Sequence, residues 1–400
     1  MARVLFINAG SEGHINPTIG VVQELISRGE EVVYFTVEAF RERVEKTGAT
    51  VRTFDGEAFM KAFLSGGRTY LLERINGLLH TADVVIPSVL EQIEGEHFDY
   101  MIHDSMFGCG RFLAQILKLP AISSCTSFAH TKDSFDSILE HLSQDITPKT
   151  LATIKEDYQN LKTKLKENYD VEIGSPYEVF CNPAPLTIIY TTREFKPSGD
   201  TFDPSYKFVG PSISHRPSIE TVSLPDSKGN HLIYISLGTV FNQATEFYKL
   251  CFEAFGDSEQ TVVMSIGQRT QKPALGKIPK NFIVENYVPQ TEVLKEADLF
   301  ITHGGMNSAN EGLYYGVPLL VIPQSADQPM VAHQVVTIGA GKKLQMENLR
   351  VSQLREAAEA IMKQPSFRQQ VKKISESFQR AGGYQQAVDE IFKFKAEIGI

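Results

Sequence analysis

Leu299-Phe300-Ile301-Thr302-His303-Gly304-Gly305-Met306-Asn307-Ser308-Ala309-Asn310-Glu311 is the stretch whose reading decides the fold. Four residues suited to a buried strand run into a His and two glycines, and the chain then reopens as a helix. A strand that feeds a helix through a glycine turn is half of a β-α-β unit. The same half-unit recurs on both sides. Leu232–Ser236, Thr261–Ser265, Phe282–Glu285 and Leu319–Ile322 read as strands, with Glu246–Phe255 as a helix among them. Such alternation predicts a parallel sheet covered by helices on both faces, a doubly wound α/β domain.

The first half carries the pattern too. Arg3–Asn8 and Glu31–Thr36 read as strands around a helix from about Pro17 to Ser27, and Tyr100–His103 and Ala121–Cys125 as strands around a helix from about Gly110 to Leu117. From 150 to 169, Leu151, Ile154, Tyr158, Leu161, Leu165 and Tyr169 recur at helical spacing among Lys and Glu, which predicts an amphipathic surface helix. Pro197, Pro204, Pro211, Pro217 and Pro225 discourage regular structure from about Lys196 to Asn230. A chain of 400 residues exceeds what one core usually fills, about 250–300 residues. The expected division is therefore a first domain over 1–210, a linker over 211–230, a second domain over 231–380 and a final helix over 381–400, with no internal repeat.

Composition excludes several classes. Hydrophobic residues at 42% and charged ones at 22% are ordinary for a globular protein. A net charge of −9 with no Lys/Arg cluster argues against nucleic acid. Cys109, Cys125, Cys181 and Cys251 are widely separated and form no CxxC pair, so buried thiols in a reducing cytoplasm are expected rather than a zinc site or a disulfide framework. The first residues do not read as a signal peptide, and no apolar run approaches the ~18 residues of a membrane span.

In doubly wound domains ligands bind beyond the carboxyl ends of the strands. Polar residues there carry the chemistry. Gly13-His14-Ile15-Asn16-Pro17 follows the first strand without the GxGxxG spacing of a dinucleotide site, and His14 reads either as a capping, solvated His or as a general base. Asp104 ends the strand Tyr100–His103. It reads as a helix cap or as the group that holds and polarises His14. Ser236-Leu237-Gly238-Thr239 is a plain turn or a cradle for phosphate oxygens. At 303–311 the two glycines let the backbone approach a diphosphate while the helix offers its positive end, and Glu311 lies one turn beyond Asn307, placed to accept from ribose hydroxyls. Phe59, Phe63, Met106, Phe107, Phe128 and Phe135 read as core or as the lining of an apolar acceptor pocket on loops of the first domain.

Tyr287-Val288-Pro289-Gln290, His303 to Glu311, Gly316-Val317-Pro318 and Asp327-Gln328 resemble the donor-binding signature of the UDP-sugar-dependent small-molecule glycosyltransferases, family 1 with the GT-B fold. The chain as a whole is similar to the bacterial macrolide and flavonoid branch. Gly13-His14-Ile15-Asn16-Pro17, Asp104 and Ser236-Leu237-Gly238-Thr239 fall in family order. The resemblance implies two Rossmann-like domains facing across a cleft, with the final helix crossing back to the first. It makes His14 the base on an acceptor hydroxyl and Asp104 its partner. It assigns the diphosphate to Ser236, Gly238, Thr239, His303, Gly305, Asn307 and Ser308, and ribose to Glu311. Asp327 and Gln328 would hold the sugar, and Val288 the uracil through its backbone, with Gln290 nearby. Tyr287 stands where many relatives carry a stacking Trp.

The expected reaction is a one-step inverting transfer, from UDP-glucose as preferred donor to a hydroxyl of a flavonoid, other polyphenol or macrolide. No cofactor is expected. No Asp-x-Asp motif occurs, so fixed dipoles are expected to replace a metal ion. Nucleic-acid and membrane partners are not expected, and a monomer is preferred. Three rivals are weaker: a nucleotide-sugar epimerase or cell-wall glycosyltransferase of the same fold, a decayed sugar-nucleotide-binding protein, and a nicotinamide oxidoreductase lacking its glycine fingerprint.

Overall fold

The structure is a computed structural model that describes residues 1–214, 231–239, 242–325 and 327–400. It divides into two compact units. The first holds Met1–Tyr190, Asp200–Ser214 and Tyr384–Ile400, and the second holds Thr191–Gly199 and the chain up to Gly383. Both are α/β units on an all-parallel sheet, as the alternation of strand and helix signals requires.

In the first unit β1 (Arg3–Ile7), β2 (Glu31–Val37), β3 (Thr50–Phe54), β4 (Tyr100–Asp104), β5 (Ala121–Cys125), β6 (Leu186–Ile189) and β7 (Tyr206–Phe208) lie in the order β3-β2-β1-β4-β5-β6-β7. Alternate residues feed two cores. Val4, Phe6, Val32, Tyr34 and Ile102 point to one face, and Leu5, Ile7, Val33, Phe35 and Met101 to the other. The strands therefore read as unbroken apolar runs rather than as alternation. The helix Gly383–Ile398 packs Ala387, Val388 and Ile391 into the first of these cores. Its Lys395 meets Glu30 at 2.6 Å, both buried, with the Tyr100 hydroxyl donating to the same carboxylate at 3.0 Å.

The second unit orders β8 (Leu232–Ser236), β9 (Thr261–Ser265), β10 (Phe282–Glu285), β11 (Leu299–Thr302), β12 (Leu319–Val321) and β13 (Gly341–Lys343) as β10-β9-β8-β11-β12-β13. In both sheets the winding direction reverses at the centre, between β1 and β4 and between β8 and β11. Chains leave those strand ends in opposite directions, which opens a crevice at the carboxyl edge.

Three expectations change. The helix read from Pro17 begins at Glu12, so His14 lies in its first turn rather than on a loop; Pro17 sits inside the helix, where its missing N–H costs one bond of the ladder in the second turn. Tyr206–Phe208 forms a strand inside the proline-rich segment, at the sheet edge, where a strand needs pairing on one side only and Pro204 precedes it harmlessly. Thr191–Gly199, read as part of the first domain, clusters with the second unit, where Phe195 meets Phe378 edge to face at 5.6 Å. The predicted linker lies outside the described residues from 215 on. The surface helix runs Pro148–Tyr169, burying Ile154, Tyr158, Leu161 and Leu165 as its spacing requires. None of the four cysteines forms a disulfide. Among the described residues no helix is long and apolar enough to cross a membrane.

Candidate functional site

In the first unit β1 and β4 pair in parallel with Ile7 opposite His103. The residues that follow them, Asn8 and Asp104, thus emerge side by side at the switch point. Gly10 has φ +77°, a left-handed turn that a Cβ would oppose and that sends the chain at once into the helix Glu12–Ser27. His14, third in that helix, turns its Nδ1 to Asp104 Oδ2 at 2.6 Å. Asp104 is fully buried, whereas the His14 side chain keeps 22% of its surface. A carboxylate accepts and does not donate, so Nδ1 carries the proton and Nε2 is the basic nitrogen.

Asp104 is fixed at its carboxylate by two further donors and at its backbone by a third. The Met106 amide donates to Oδ1 at 2.7 Å and the Asn8 amide to Oδ2 at 3.5 Å, while Asn182 Nδ2 donates to the Asp104 carbonyl at 3.1 Å. Asn8 also donates to the His14 carbonyl at 3.1 Å and accepts from the Gly10 amide at 3.0 Å. The Thr126 hydroxyl lies 3.2 Å from His14 Nδ1. The sequence reading missed Asn8, Thr126 and Asn182. Asn8 and Thr126 each stand directly after a strand, β1 and β5, the position that singled out Asp104 and Ser236.

The apolar acceptor lining needs correction. Phe59 and Phe63 lie on the helix Gly56–Ser65, and Phe135 on the helix Lys132–Ser143, not on loops. Phe107 stacks on Phe54 and Phe59 meets both at a tilt in the core, with centroids 5.5 to 6.0 Å apart, and Phe107 and Phe135 are essentially without exposed surface. These three rings hold the unit together, because buried aromatic area is best satisfied by other rings. Phe63 and Met106 are half-buried and Phe128 is buried on the loop after β5.

In the second unit Ser236 pairs with Ser265 on one side and Thr302 on the other, so three strand-end hydroxyls stand in a row. The chain then turns at Gly238, φ +75°, and at Gly304, φ +80°. The His303 ring fills the space beside both Gly238 and Gly305: a Cβ on either would come within 2.6 Å of it. Burial pushes His303 down to about 4, against a smaller upward pull from its hydrogen bond to the Ser236 backbone, so the ring is neutral at neutral pH. Directly behind it the helix Met306–Tyr314 starts at its cap Gly305 with no side-chain cap. The leading N–H groups of a helix have no partner within it, and they converge with the positive end of the dipole on an anion.

Asn307 and Ser308 lie in the first turn and are half-buried; Glu311, one turn on, is buried and accepts from Gln290 Nε2 at 2.7 Å. Thr239 and Tyr287 are exposed, Tyr287 at 56% of its surface, whereas the Val288 side chain is buried. Asp327 precedes the helix Gln328–Thr337 at its N-cap position, without a side-chain cap bond. Gln328 is buried and its Oε1 accepts from the Gln324 and Ser325 amides at 2.8 and 3.1 Å, which leaves its amide nitrogen as the group available to a ligand. The second unit thus gathers hydroxyls, backbone amides, a neutral His and a carboxylate at one sheet edge, an arrangement that suits a sugar nucleotide.

Comparison with known proteins agrees. Residues 213–380 match the family described as UDP-glucoronosyl and UDP-glucosyl transferase. An uncharacterized UDP-glucosyltransferase of Bacillus subtilis is 37% identical over 400 residues, covering 98% of this chain and 97% of that one. The oleandomycin glycosyltransferase of Streptomyces antibioticus is 27% identical, covering 98% and 90%. Among solved structures, a calicheamicin glycosyltransferase superposes with a TM-score of 0.85 at 26% identity over 100% of both chains.

Proposed function

This chain belongs to the UDP-glucoronosyl and UDP-glucosyl transferase family, an enzyme family of GT-B fold, and we propose that it transfers glucose from UDP-glucose to a hydroxyl of a small lipophilic natural product, with inversion. The observation that carries the mechanism is the 2.6 Å contact between His14 Nδ1 and the buried Asp104 carboxylate. His14 Nε2 takes the acceptor proton as the acceptor oxygen attacks the anomeric carbon. The bond from that carbon to the diphosphate oxygen breaks on the opposite face, and UDP leaves with the electron pair. An α-linked donor gives a β-glycoside. Asp104 stabilises the imidazolium that forms, at no cost in reorganisation, because Met106, Asn8 and Asn182 already hold it.

Charge on the leaving diphosphate is met by the Ser236 and Thr239 hydroxyls, His303, the Gly305 backbone, Asn307, Ser308 and the helix Met306–Tyr314, with no divalent cation. Glu311 accepts from ribose and Tyr287 offers its exposed ring to the base, beside the Val288 backbone. Asp327 and the Gln328 amide nitrogen take the sugar hydroxyls. Relatives named for oleandomycin and calicheamicin support a natural-product acceptor, and Phe63, Met106 and Phe128 remain its candidate contacts.

The test is an assay in EDTA with UDP-glucose and a panel of flavonoids and macrolides, following UDP release and acceptor mass. A gain of one hexose is expected. No gain, and no UDP release from any common UDP-sugar, sinks the reading.

A further inference from the structure

The residues that would read the nucleotide's ribose are wired to a tyrosine beneath them. Tyr234 is on β8, fully buried, its ring stacked on Phe300 at 4.8 Å and 19°. Its hydroxyl donates to Gln290 Oε1 at 3.3 Å, and Gln290 Nε2 donates in turn to Glu311 Oε2 at 2.7 Å and to the Ser308 hydroxyl at 3.4 Å. Burial raises the phenol above its ordinary range, so it stays a donor at every working pH.

This ladder removes an ambiguity. A primary amide beside a carboxylate has two orientations, one presenting N–H to it and one presenting a carbonyl oxygen. The Tyr234 proton claims the carbonyl end, which commits the amide nitrogen to Glu311. Without that proton the carbonyl loses its donor, the flipped amide becomes accessible, and a carbonyl oxygen facing a carboxylate drives it out of position. We propose that Tyr234 is a positioning residue for nucleotide recognition: through Gln290 it fixes the Glu311 carboxylate in the orientation that accepts ribose hydroxyls, and so sets the preference for ribose over deoxyribose. The proposal rests on the reading of Glu311 as the ribose contact.

The experiment measures, by calorimetry on the full chain, binding of UDP, 2′-deoxy-UDP and 3′-deoxy-UDP to the wild type, Tyr234→Phe and Glu311→Ala. A site built to pair a hydroxyl discriminates strongly against its absence, so the wild type should prefer UDP to at least one deoxy analogue by tenfold or so. In Tyr234→Phe the UDP affinity falls about fivefold or more while the disfavoured analogue is nearly unaffected, which brings the ratio to within roughly twofold. In steady state the larger change falls on donor KM rather than on kcat. Gln290→Leu cuts the same ladder from a half-buried position and must also collapse the ratio, should Tyr234→Phe fail to fold. If Glu311→Ala loses the preference and both ladder variants keep it, the role of Tyr234 is overturned and the donor site stands. If Glu311→Ala keeps it, or the wild type has none, the ribose reading falls and this proposal with it.

Discussion

The side-chain amide of Asn8 holds the backbone carbonyl of His14 at 3.1 Å while its other face is tied to the Gly10 amide. The residue directly after β1 thereby sets the height at which the helix Glu12–Ser27 starts, and with it the reach of the His14 ring toward Asp104. Asn8→Ala should lower kcat by about tenfold with donor KM near the wild-type value, since one or two buried hydrogen bonds are each worth ~1 kcal/mol. Steady-state kinetics with circular dichroism as a folding control decides it. An unchanged kcat would leave Asn8 a loop residue only.

General-base assistance is worth about 10²–10⁴-fold, so His14→Ala should lose turnover in that range. Asp104→Asn should lose less, because the base remains but its imidazolium is no longer stabilised. Calorimetric UDP binding should survive both changes, the donor residues lying in the other unit. A His14→Ala enzyme with full turnover would end the proposed mechanism.

Gly238 combines a left-handed backbone with contact against the His303 ring. Gly238→Ala must either strain the turn or push the imidazole aside. Donor KM should rise about tenfold or more, with a smaller effect on kcat, because a loss of roughly 1–3 kcal/mol at a strained position falls first on the diphosphate contact. Initial rates over a range of UDP-sugar concentrations read this out.

His103 gives a pH signature. Burial pushes it down to about 4, and its Nε2 has no partner among the described residues. The folded state therefore resists a proton that the unfolded state takes up near 6.5. The resulting stability is fully present above 6.5 and is lost as pH falls toward 4, by ~3 kcal/mol for a shift of this size. His303 acts in the same direction. Thermal unfolding between pH 7 and 4 should show a shallower loss for His103→Gln than for the wild type; parallel curves would contradict this.

Strand positions were legible because each parallel strand is buried on both faces and so reads as an apolar run: Ala121–Cys125, Leu232–Ser236 and Leu299–Thr302 are strands as read. Four of the described strands were not read: Tyr206–Phe208 and Gly341–Lys343, three-residue edge strands paired on one side, Thr50–Phe54 at the other edge of its sheet, and Leu186–Ile189, a buried run of only four residues. Asp104, Ser236 and His303 were legible as polar residues at strand ends, and His14 as the His that follows the turn after the first strand. Asn8 and Thr126 were not, since a single Asn or Thr beside a strand carries no chemistry of its own until its partner is known. For Phe107 and Phe135 the sequence left core and lining open, because aromatic content near a loop says nothing of which way the rings turn; the structure buries both.

The helix Gly383–Ile398 has one more implication, for the order in which the protein is made. A ribosome delivers Ala387, Val388 and Ile391 only after the whole second unit, yet they fill a core begun by Val4, Val22 and Leu25. The half synthesised first is the half completed last. Until those residues arrive it presents an apolar socket and a Glu30 awaiting Lys395.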